Sequence, residues 1–434
     1  MSAGLPMPMT AVLTLRNFRR YLLGQLASNI GTWMQRAAQD LLVLHLTGNS
    51  GRAVGIVTAL QFLPQTLFGL TGGVLADRYP KRRLLLLTQT AMGVQSLLLG
   101  LLTVTGAVNL PSVYALAFAL GTATAVDSPA RNAYISELVA KERLVTAVSL
   151  NSAQFNVARI LGPALAGLAV AAFGTGPVFL VNAASYLAVL YGLITIRTDG
   201  PGGHGRTRPG PTRLRDAFRG ITSTPELLLP MSVIAFVGTF GLNFQVTISL
   251  VAVTVFHTGA AGFGCLSAAY ALGSLTGAVH GASRGKPPGI RRLITTTVVF
   301  GALEATLGVT PGYGAFMALL IPTGFAAVTV TTTANALTQL HAGPDVRGRV
   351  MSVYFLVLLG GTPVGAPLVG LLADAFGARS TLVLGGVVSA SSALALSALT
   401  AGLTQRRARI TRAASVAGSP RTPARPARDR SAGL

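Results

Sequence analysis

Charged residues are scarce in this sequence. Asp, Glu, Lys and Arg make up 11% of its 434 residues, whereas soluble proteins carry about 25%. Residues 84–126 and 227–283 contain none of the four. One α-helical crossing of a bilayer needs about 20 apolar residues, so each stretch is long enough for two crossings and a turn. The scarcity of charge excludes a soluble multidomain protein and predicts an all-α membrane protein.

Groups that could carry chemistry are also missing. Cys265 is the single cysteine and lies in an apolar run, which excludes a disulfide framework and a thiolate metal site. The sequence contains no zinc-ligand spacing, no glycine-rich phosphate loop, no HExxH pair and no Ser-His-Asp order. We therefore expect no catalytic residue, no metal, no cofactor and no use of ATP, and we predict that the chain is not an enzyme.

The net charge of +22 would suit a nucleic-acid-binding protein. The basic residues, however, cluster in short links between apolar runs and in the last 30 residues. That distribution is typical of a protein in contact with a lipid bilayer, and no aromatic and basic stacking array accompanies it. We therefore expect no nucleic-acid partner.

The apolar runs predict twelve crossings in two bundles of six helices. The crossings are expected near residues 18–46, 53–76, 84–104, 110–131, 146–172, 176–196, 227–255, 259–282, 291–309, 312–335, 348–373 and 378–402. The predicted bundles cover residues 1–196 and 226–403. A basic linker rich in Gly and Pro joins them over residues 197–225, and we expect the basic tail at 404–434 to be disordered.

The basic links alternate along the chain. Positive charge follows crossings 2, 4, 6, 8 and 10, whereas the other links carry only Arg52 and Arg379. Because cytoplasmic loops are enriched in Lys and Arg, the even-numbered links and both termini are predicted to be cytoplasmic. The predicted location is the cell (inner) membrane.

An internal repeat relates the two halves at an offset of 203 residues. Gly162, Gly167, Leu168, Phe173 and Gly174 align with Gly365, Gly370, Leu371, Phe376 and Gly377. Two parallel six-helix repeats are one known plan of secondary transporters, with the substrate site between the repeats near the middle of the membrane.

The link after crossing 2 carries a long motif. Residues 73–85, from Gly73 through Asp77 and Arg78 to the basic run at Arg82, resemble the signature G-x-L-a-D-r-x-G-r-k-x-x-l of the major facilitator superfamily, with Pro80 in place of the second glycine. Asp77 could interact with the N-terminus of a neighbouring helix through the helix dipole. Gly72 and Gly73 would let helices approach closely.

Further segments resemble the enterobactin-exporter-like branch of that superfamily. They are residues 33–40, 47–50, 60–64, 127–131 and 158–167 in the first half and, more loosely, residues 347–352 in the second. The resemblance implies a proton-coupled exporter, an antiporter that moves drugs, antibiotics, siderophores or other small amphipathic molecules by alternating access. Its expected partners are the cargo, protons and the bilayer, and we expect a monomer. A proton-coupled importer of a small metabolite with the same fold is the alternative.

Crossing 1 carries two ionisable residues that point to function, because charge inside a bilayer is costly. Arg36 and Asp40 stand four residues apart, so they share a helix face and can pair. Asp40 could carry the coupled proton, or the two residues could form a structural ion pair. Glu304 in crossing 9 is the other proton-coupling candidate; it could line the cavity or extend from mid-helix toward the membrane surface.

Crossing 4 carries a second such pair, Asp127 and Arg131. We predict that Asp127 bridges to Arg78 or Arg82 in one access state as part of a gate, with direct contact to the substrate as the alternative, and that Arg159 faces the same cluster. In crossing 5, Gly162, Pro163 and Gly167 resemble the glycine and proline motif of antiporter members, although the match is imperfect. A packing kink at Pro163 is the alternative explanation.

Overall fold

The computed structural model describes residues 12–196, 221, 224–283, 287–343 and 346–417. They form twelve long helices, and no strand occurs in this part of the chain. In chain order these are α1 (Arg16–Leu46), α2 (Gly51–Arg78), α3 (Lys81–Val104), α4 (Leu110–Leu138), α5 (Lys141–Phe173), α6 (Thr175–Thr195), α7 (Glu226–Val255), α8 (Gly259–Ser283), α9 (Ile290–Val309), α10 (Tyr313–His341), α11 (Arg347–Phe376) and α12 (Ala378–Ala417). The predicted linker at 197–225 lies almost entirely outside the described residues.

Each predicted crossing corresponds to one of these helices, but several helices are longer than predicted. α4 ends at Leu138 and α10 at His341, each about two turns past the predicted end. Hydropathy marks where the apolar segment ends, and a helix can continue beyond that point. α12 likewise continues to Ala417, so residues 404–417, predicted to be disordered, are helical. Ala and Arg are strong helix formers, which accounts for the extension. The rest of the predicted tail lies outside the described residues.

Ten of the helices are long and apolar enough to cross a membrane, and α2 makes eleven if its two parts, which meet at 59°, are one span. α1 is the exception. Its mean hydropathy is low because it contains many polar residues, and several of these are buried, among them Gln25, Asn29, Gln35 and Gln39. These side chains face protein rather than lipid, so a test based on hydropathy underestimates the ability of α1 to cross a membrane.

The helices pack as two six-helix bundles. In the first bundle α1 packs against α5 and α6, and α2 against α4; in the second, α8 packs against α10 and α9 against α12. The bundles meet mainly along two helix pairs, α2 with α11 and α5 with α8. In the predicted repeat, α2 corresponds to α8 and α5 corresponds to α11. The two interface pairs are therefore equivalent to each other, as the repeat requires.

α7 is irregular. Its α-helical geometry gives way to π turns at Val237–Gly241 and Val251–Val255. Because a π turn inserts an extra residue into an α-helix, it leaves local carbonyls and side chains in unusual positions, often at functional sites.

Candidate functional site

The two ends of the molecule differ in how closely the bundles approach. We call the end that contains Arg78 and Arg347 the basic face, and the end that contains Gly51 and Phe376 the opposite face. Near the opposite face, a Cβ atom on Gly55 would lie 2.4 Å from the carbonyl oxygen of Ala366. Near the basic face, a Cβ atom on Gly73 would meet nothing within 4 Å. The close approach of α2 to α11 that these glycines show is therefore at the opposite face.

The same divergence appears along α5. Ser152, Arg159 and Ala166 are spaced by seven residues and so share one side of the helix. Ala166 is fully buried, whereas Arg159 and Ser152, nearer the basic face, are exposed. Next to Ala166, a Cβ on Gly167 would lie 2.3 Å from the Cα of Gly264 on α8. The bundles thus enclose a space that opens on the basic face and is closed on the opposite face.

A carboxylate reinforces that closure. Asp374, at the end of α11, accepts hydrogen bonds from the backbone N–H of Gly51 at 2.6 Å, the backbone N–H of Arg52 at 2.9 Å and the hydroxyl of Ser50 at 3.2 Å. Because the first N–H groups of a helix have no partner within it, Asp374 caps α2 from the other bundle and also meets its positive dipole end.

The sequence analysis missed Asp374, although a signal for it exists. Residues 370–374 read Gly-Leu-Leu-Ala-Asp, and residues 73–77 read Gly-Val-Leu-Ala-Asp. The same short motif thus ends α2 at the basic face and α11 at the opposite face. This similarity does not follow the 203-residue repeat, which is why the comparison of the halves did not find it.

Asp40 is fully buried and links the two bundles. Its carboxylate accepts a hydrogen bond of 2.7 Å from the Gln245 side chain on α7 and one of 3.4 Å from the Thr58 hydroxyl on α2. The predicted pair with Arg36 is wrong: no ion pair joins these two side chains, in contrast to Lys81 with Glu137 and Arg131 with Asp127.

The Arg36 side chain binds aromatic rings instead. Its guanidinium lies 4.9 Å from the ring centroid of Trp33 and 4.4 Å from that of Phe62, and its Nε has no hydrogen-bond partner. Desolvated cation–π contacts contribute about 2 kcal/mol or more. They compete with the Coulombic attraction of Asp40, whose oxygens are already occupied by Gln245 and Thr58.

Asp127 and Arg131 form the predicted ion pair, but its surroundings differ from the prediction. Asp127 also accepts hydrogen bonds of 2.8 Å from the Thr88 hydroxyl and from the Gln89 side chain on α3, and Arg131 donates to Asn29 on α1 at 2.8 Å. The pair therefore ties α4 to α3 and α1.

The predicted bridge from Asp127 to the basic link is not formed in this conformation. Arg82 donates to the carbonyl oxygens of Leu193 and Ile194 at 2.7 and 2.8 Å, at the end of α6. Arg78 is exposed. The guanidinium of Arg82 satisfies helix-terminal carbonyls, which an arginine near the end of a neighbouring helix can do.

The glycines and the aspartate of the loop motif have separate environments. A Cβ on Gly72 would lie 2.3 Å from the carbonyl oxygen of Ala125, so Gly72 permits the close approach of α2 to α4. Gly73, which we predicted to have this role, makes no such approach. Asp77 is exposed and forms no hydrogen bond or ion pair with any described residue, so it is unengaged in this conformation.

Arg159 lies away from the charge cluster in which we had placed it. Its electrostatic neighbours are the hydroxyls of Tyr270 on α8 and Tyr354 on α11, both in the other bundle. The side of α5 that carries Arg159 is the side that faces α8. Arg159 therefore projects into the space between the bundles.

The fifth-helix motif allows α5 to pack closely against α1, and it does not interrupt α5. A Cβ on Gly162 would lie 2.4 Å from the Cβ of Trp33 on α1. α5 continues as one helix through Pro163. Since proline lacks an N–H, the carbonyl of Arg159, four residues earlier, has no intrahelical donor from that position.

Glu304 is buried inside the second bundle, so it neither lines the space between the bundles nor extends toward the membrane surface; its role in proton coupling stays a prediction. Its side chain is 3% exposed, and its Oε2 has no hydrogen-bond partner. A Cβ on Gly241 would lie 3.1 Å from Oε2, and one on Gly385 would lie 2.7 Å from Oε1. Glu304 therefore sits between α7 and α12, beside the first π turn.

A buried polar network inside the first bundle was also missed. The amide oxygen of Gln35 accepts hydrogen bonds from Ser96 at 2.5 Å and Asn182 at 2.7 Å, and its amide nitrogen donates to Gln95 at 2.9 Å. The signal is the spacing of polar residues along α1: positions 25, 29, 32, 35 and 39 recur every three or four residues, as on one helix face.

Comparison with known proteins is consistent with this geometry. A family model described as transmembrane secretion effector matches residues 8–421. The chain is 25% identical over 353 residues to the enterobactin exporter EntS of Citrobacter koseri, covering 81% of this chain and 82% of that protein. It is 31% identical over 163 residues to the staphyloferrin A transporter of Staphylococcus aureus, covering 37% of this chain but only 41% of that protein.

Solved structures show the same fold. A bacterial homologue of the human lysosomal transporter Spinster, in an inward-facing and occupied conformation, superposes with a TM-score of 0.70 at 15% identity, covering 89% of this chain and 97% of that one. The family match spans nearly the whole sequence. The chain therefore belongs to the transmembrane secretion effector family of the major facilitator superfamily, and it is a membrane transporter and not an enzyme.

Proposed function

We propose that this protein is a proton-coupled exporter of small amphipathic molecules in the cell membrane. The basic face lies in the cytoplasm in this proposal, because positively charged links remain on that side. The space between the bundles then opens toward the cytoplasm, where an exporter takes up its cargo. The similarity to a protein named as an enterobactin exporter supports the outward direction.

In the proposed transport cycle, the protein alternates between a conformation in which the opposite face is closed and one in which the basic face is closed. In the described conformation, α2 with α11 and α5 with α8 close the opposite face. Rocking of residues 12–196 against residues 226–403 would open that face and close the basic face around the same central space. The bundles act as the two moving bodies, joined by the chain at 197–225.

The main observation in support of proton coupling is the hydrogen bond from the Gln245 side chain to the Asp40 carboxylate. It joins α1 of one bundle to α7 of the other at 2.7 Å. Opening the opposite face would separate these helices and expose the Asp40 carboxylate to the outside, where it takes up a proton. Closure re-forms the bond to an oxygen of Asp40 and releases the proton on the cytoplasmic side. Each return to the conformation open on the basic face therefore carries one proton inward, and the opposite change carries cargo outward.

Glu304 is the second proton-coupling candidate. Its unpartnered Oε2 is buried, and burying an unpaired carboxylate is costly unless it carries a proton. It lies beside the π turn of α7, the helix that also carries Gln245. Movement of α7 would therefore act on both carboxyl groups.

Everted membrane vesicles test the proposal, because their interior corresponds to the outside of the cell. We expect enterobactin or staphyloferrin A to accumulate when the interior is made acidic. Asp40→Asn should abolish this uphill accumulation and leave downhill exchange measurable, since an amide keeps the volume and the acceptor oxygen but cannot titrate.

Glu304→Gln is the matched control. If it abolishes uphill accumulation and Asp40→Asn does not, Glu304 carries the proton. Accumulation that needs an alkaline interior would instead show import, and accumulation that survives collapse of the pH gradient would rule out proton coupling.

A further inference from the structure

Arg159 is a cation without a counter-ion in the space between the bundles. It is exposed, and it takes part in no ion pair or hydrogen bond with another described residue. The groups across the space from it are the hydroxyls of Tyr270 and Tyr354. The Tyr354 hydroxyl already donates to the carbonyl oxygen of Thr331 at 2.9 Å.

No acidic side chain of the described helices forms an ion pair with Arg159, and the three that lie within the predicted crossings have other surroundings. Asp127 is paired with Arg131, and Asp40 accepts from Gln245 and Thr58. Glu304 is enclosed between α7 and α12 and only 3% exposed. Each of these carboxyl groups is buried, so the charge that this space presents at Arg159 is positive.

A second unpartnered cation and a group of aromatic rings lie alongside. Phe155 is one turn before Arg159 on α5 and is exposed; its ring centroid is 6.0 Å from that of Trp33. Trp33 and Phe62 in turn cover the guanidinium of Arg36, whose buried Nε has no hydrogen-bond partner. An apolar wall therefore adjoins two arginines that have no carboxylate partner.

We infer that this space binds an organic anion. An acidic oxygen group of the cargo, such as a carboxylate, binds Arg159, and an aromatic or apolar body packs against Phe155 and Trp33. A guanidinium presents paired donors that match a carboxylate. An unpaired charge at membrane depth is costly, and a bound anion supplies the missing partner. The inference names the cargo class for the proposed exporter and so rests on that function, but it does not depend on the coupling ion.

The sequence contains one tryptophan, Trp33, so tryptophan fluorescence, excited at a wavelength that tyrosine does not absorb, reports on this site alone. Two probes with the same ring but opposite charge, 4-nitrobenzoate and 4-nitrobenzylamine, are titrated into the purified full-length protein without any gradient. We expect saturable quenching by 4-nitrobenzoate and only linear, non-saturable quenching by 4-nitrobenzylamine.

The variants separate a binding role from a structural one. Arg159→Gln should weaken 4-nitrobenzoate binding at least about tenfold, as expected for the loss of a charge-assisted hydrogen bond, and Arg159→Lys should restore part of it. The size-exclusion profile of each variant shows that it is folded. Equal affinity for the two probes, no saturable quenching, or unchanged binding in a folded Arg159→Gln would overturn the inference.

The vesicle assay is an independent readout. If 4-nitrobenzoate quenches selectively but no cargo accumulates in response to a pH gradient, the proposed function is contradicted and the anion site is supported. If a cationic drug such as ethidium accumulates uphill and the titration shows no preference between the two probes, the anion site is contradicted and the proposed function is supported.

Discussion

The carboxylate of Asp374 on α11 accepts a hydrogen bond of 2.6 Å from the backbone N–H of Gly51 on α2. The contact joins the two bundles at the opposite face and can exist only while that face is closed. A contact made in one of two conformations biases the equilibrium between them by its own free energy. Asp374 therefore stabilises the conformation that is open on the basic face.

Removing this cap should favour opening of the opposite face. We expect Asp374→Ala to shift the equilibrium about tenfold, which corresponds to about 1.4 kcal/mol, because hydrogen bonds to a charged group contribute about 1.5–3 kcal/mol each. Electron–electron distances between spin labels at Arg52 and Arg379, with Cys265 replaced by serine, measure the shift. Asp374→Glu is the control, and distances that Asp374→Ala leaves unchanged would contradict the role.

Asp77 should stabilise the other conformation. It ends the same Gly-x-Leu-Ala-Asp motif but is exposed here, so we expect it to make its contact only when the basic face closes. Asp77→Asn should lower transport about fivefold or more, the usual range of such coupling, with normal membrane insertion. Vesicle transport and immunoblotting measure the two effects, and Arg78→Gln is the neighbouring control. Normal transport by Asp77→Asn would remove it from the gate.

The buried pair of Asp127 and Arg131 should contribute to stability. Asp127→Asn leaves the Arg131 cation without its counter-ion and should destabilise the fold by about 3–5 kcal/mol. Lys81→Gln breaks a more exposed pair and should cost less than about 1 kcal/mol. Thermal unfolding in detergent compares the two variants, and similar midpoints for both would show that the buried pair is not structural.

Close packing at Gly167 should be required for closure of the opposite face. The Cβ added in Gly167→Ala would lie 2.3 Å from the Cα of Gly264 on the other bundle, so α5 and α8 would have to separate. We expect loss of transport and the same spin-label shift as for Asp374→Ala. Gly314→Ala on α10, whose Cβ meets nothing within 4 Å, should match the wild type. If Gly167→Ala transports normally, the contact is not needed for closure.

The orientation can be tested with reporter fusions. Fusions at Pro209 and Ser419 should report a cytoplasmic location and a fusion at Gly106 a periplasmic one, because the basic links remain inside. Alkaline phosphatase and green fluorescent protein activities give opposite readouts at each position. A periplasmic Pro209 would reverse the assignment of the basic face.

Hydropathy and local motifs were sufficient to predict the fold class and the helices. The apolar run at 110–131, for example, predicted the fourth crossing, and α4 begins at Leu110. The spacing of Asp127 and Arg131 predicted their pair correctly, because residues four apart on a helix are neighbours in any fold.

Tertiary packing decided the partners of the remaining charges. Arg36 and Asp40 have the same spacing as Asp127 and Arg131, yet Trp33 and Phe62 hold the first side chain and Gln245, distant in the sequence, holds the second. Arg159 lies on α5 beside the other bundle, and no feature within its own helix shows which helix stands opposite. Sequence alone determines where helices form, because that depends on local composition and period. The relative placement of two bundles, and hence the gate at Asp374 and the site at Arg159, depends on contacts between residues that are far apart in the chain.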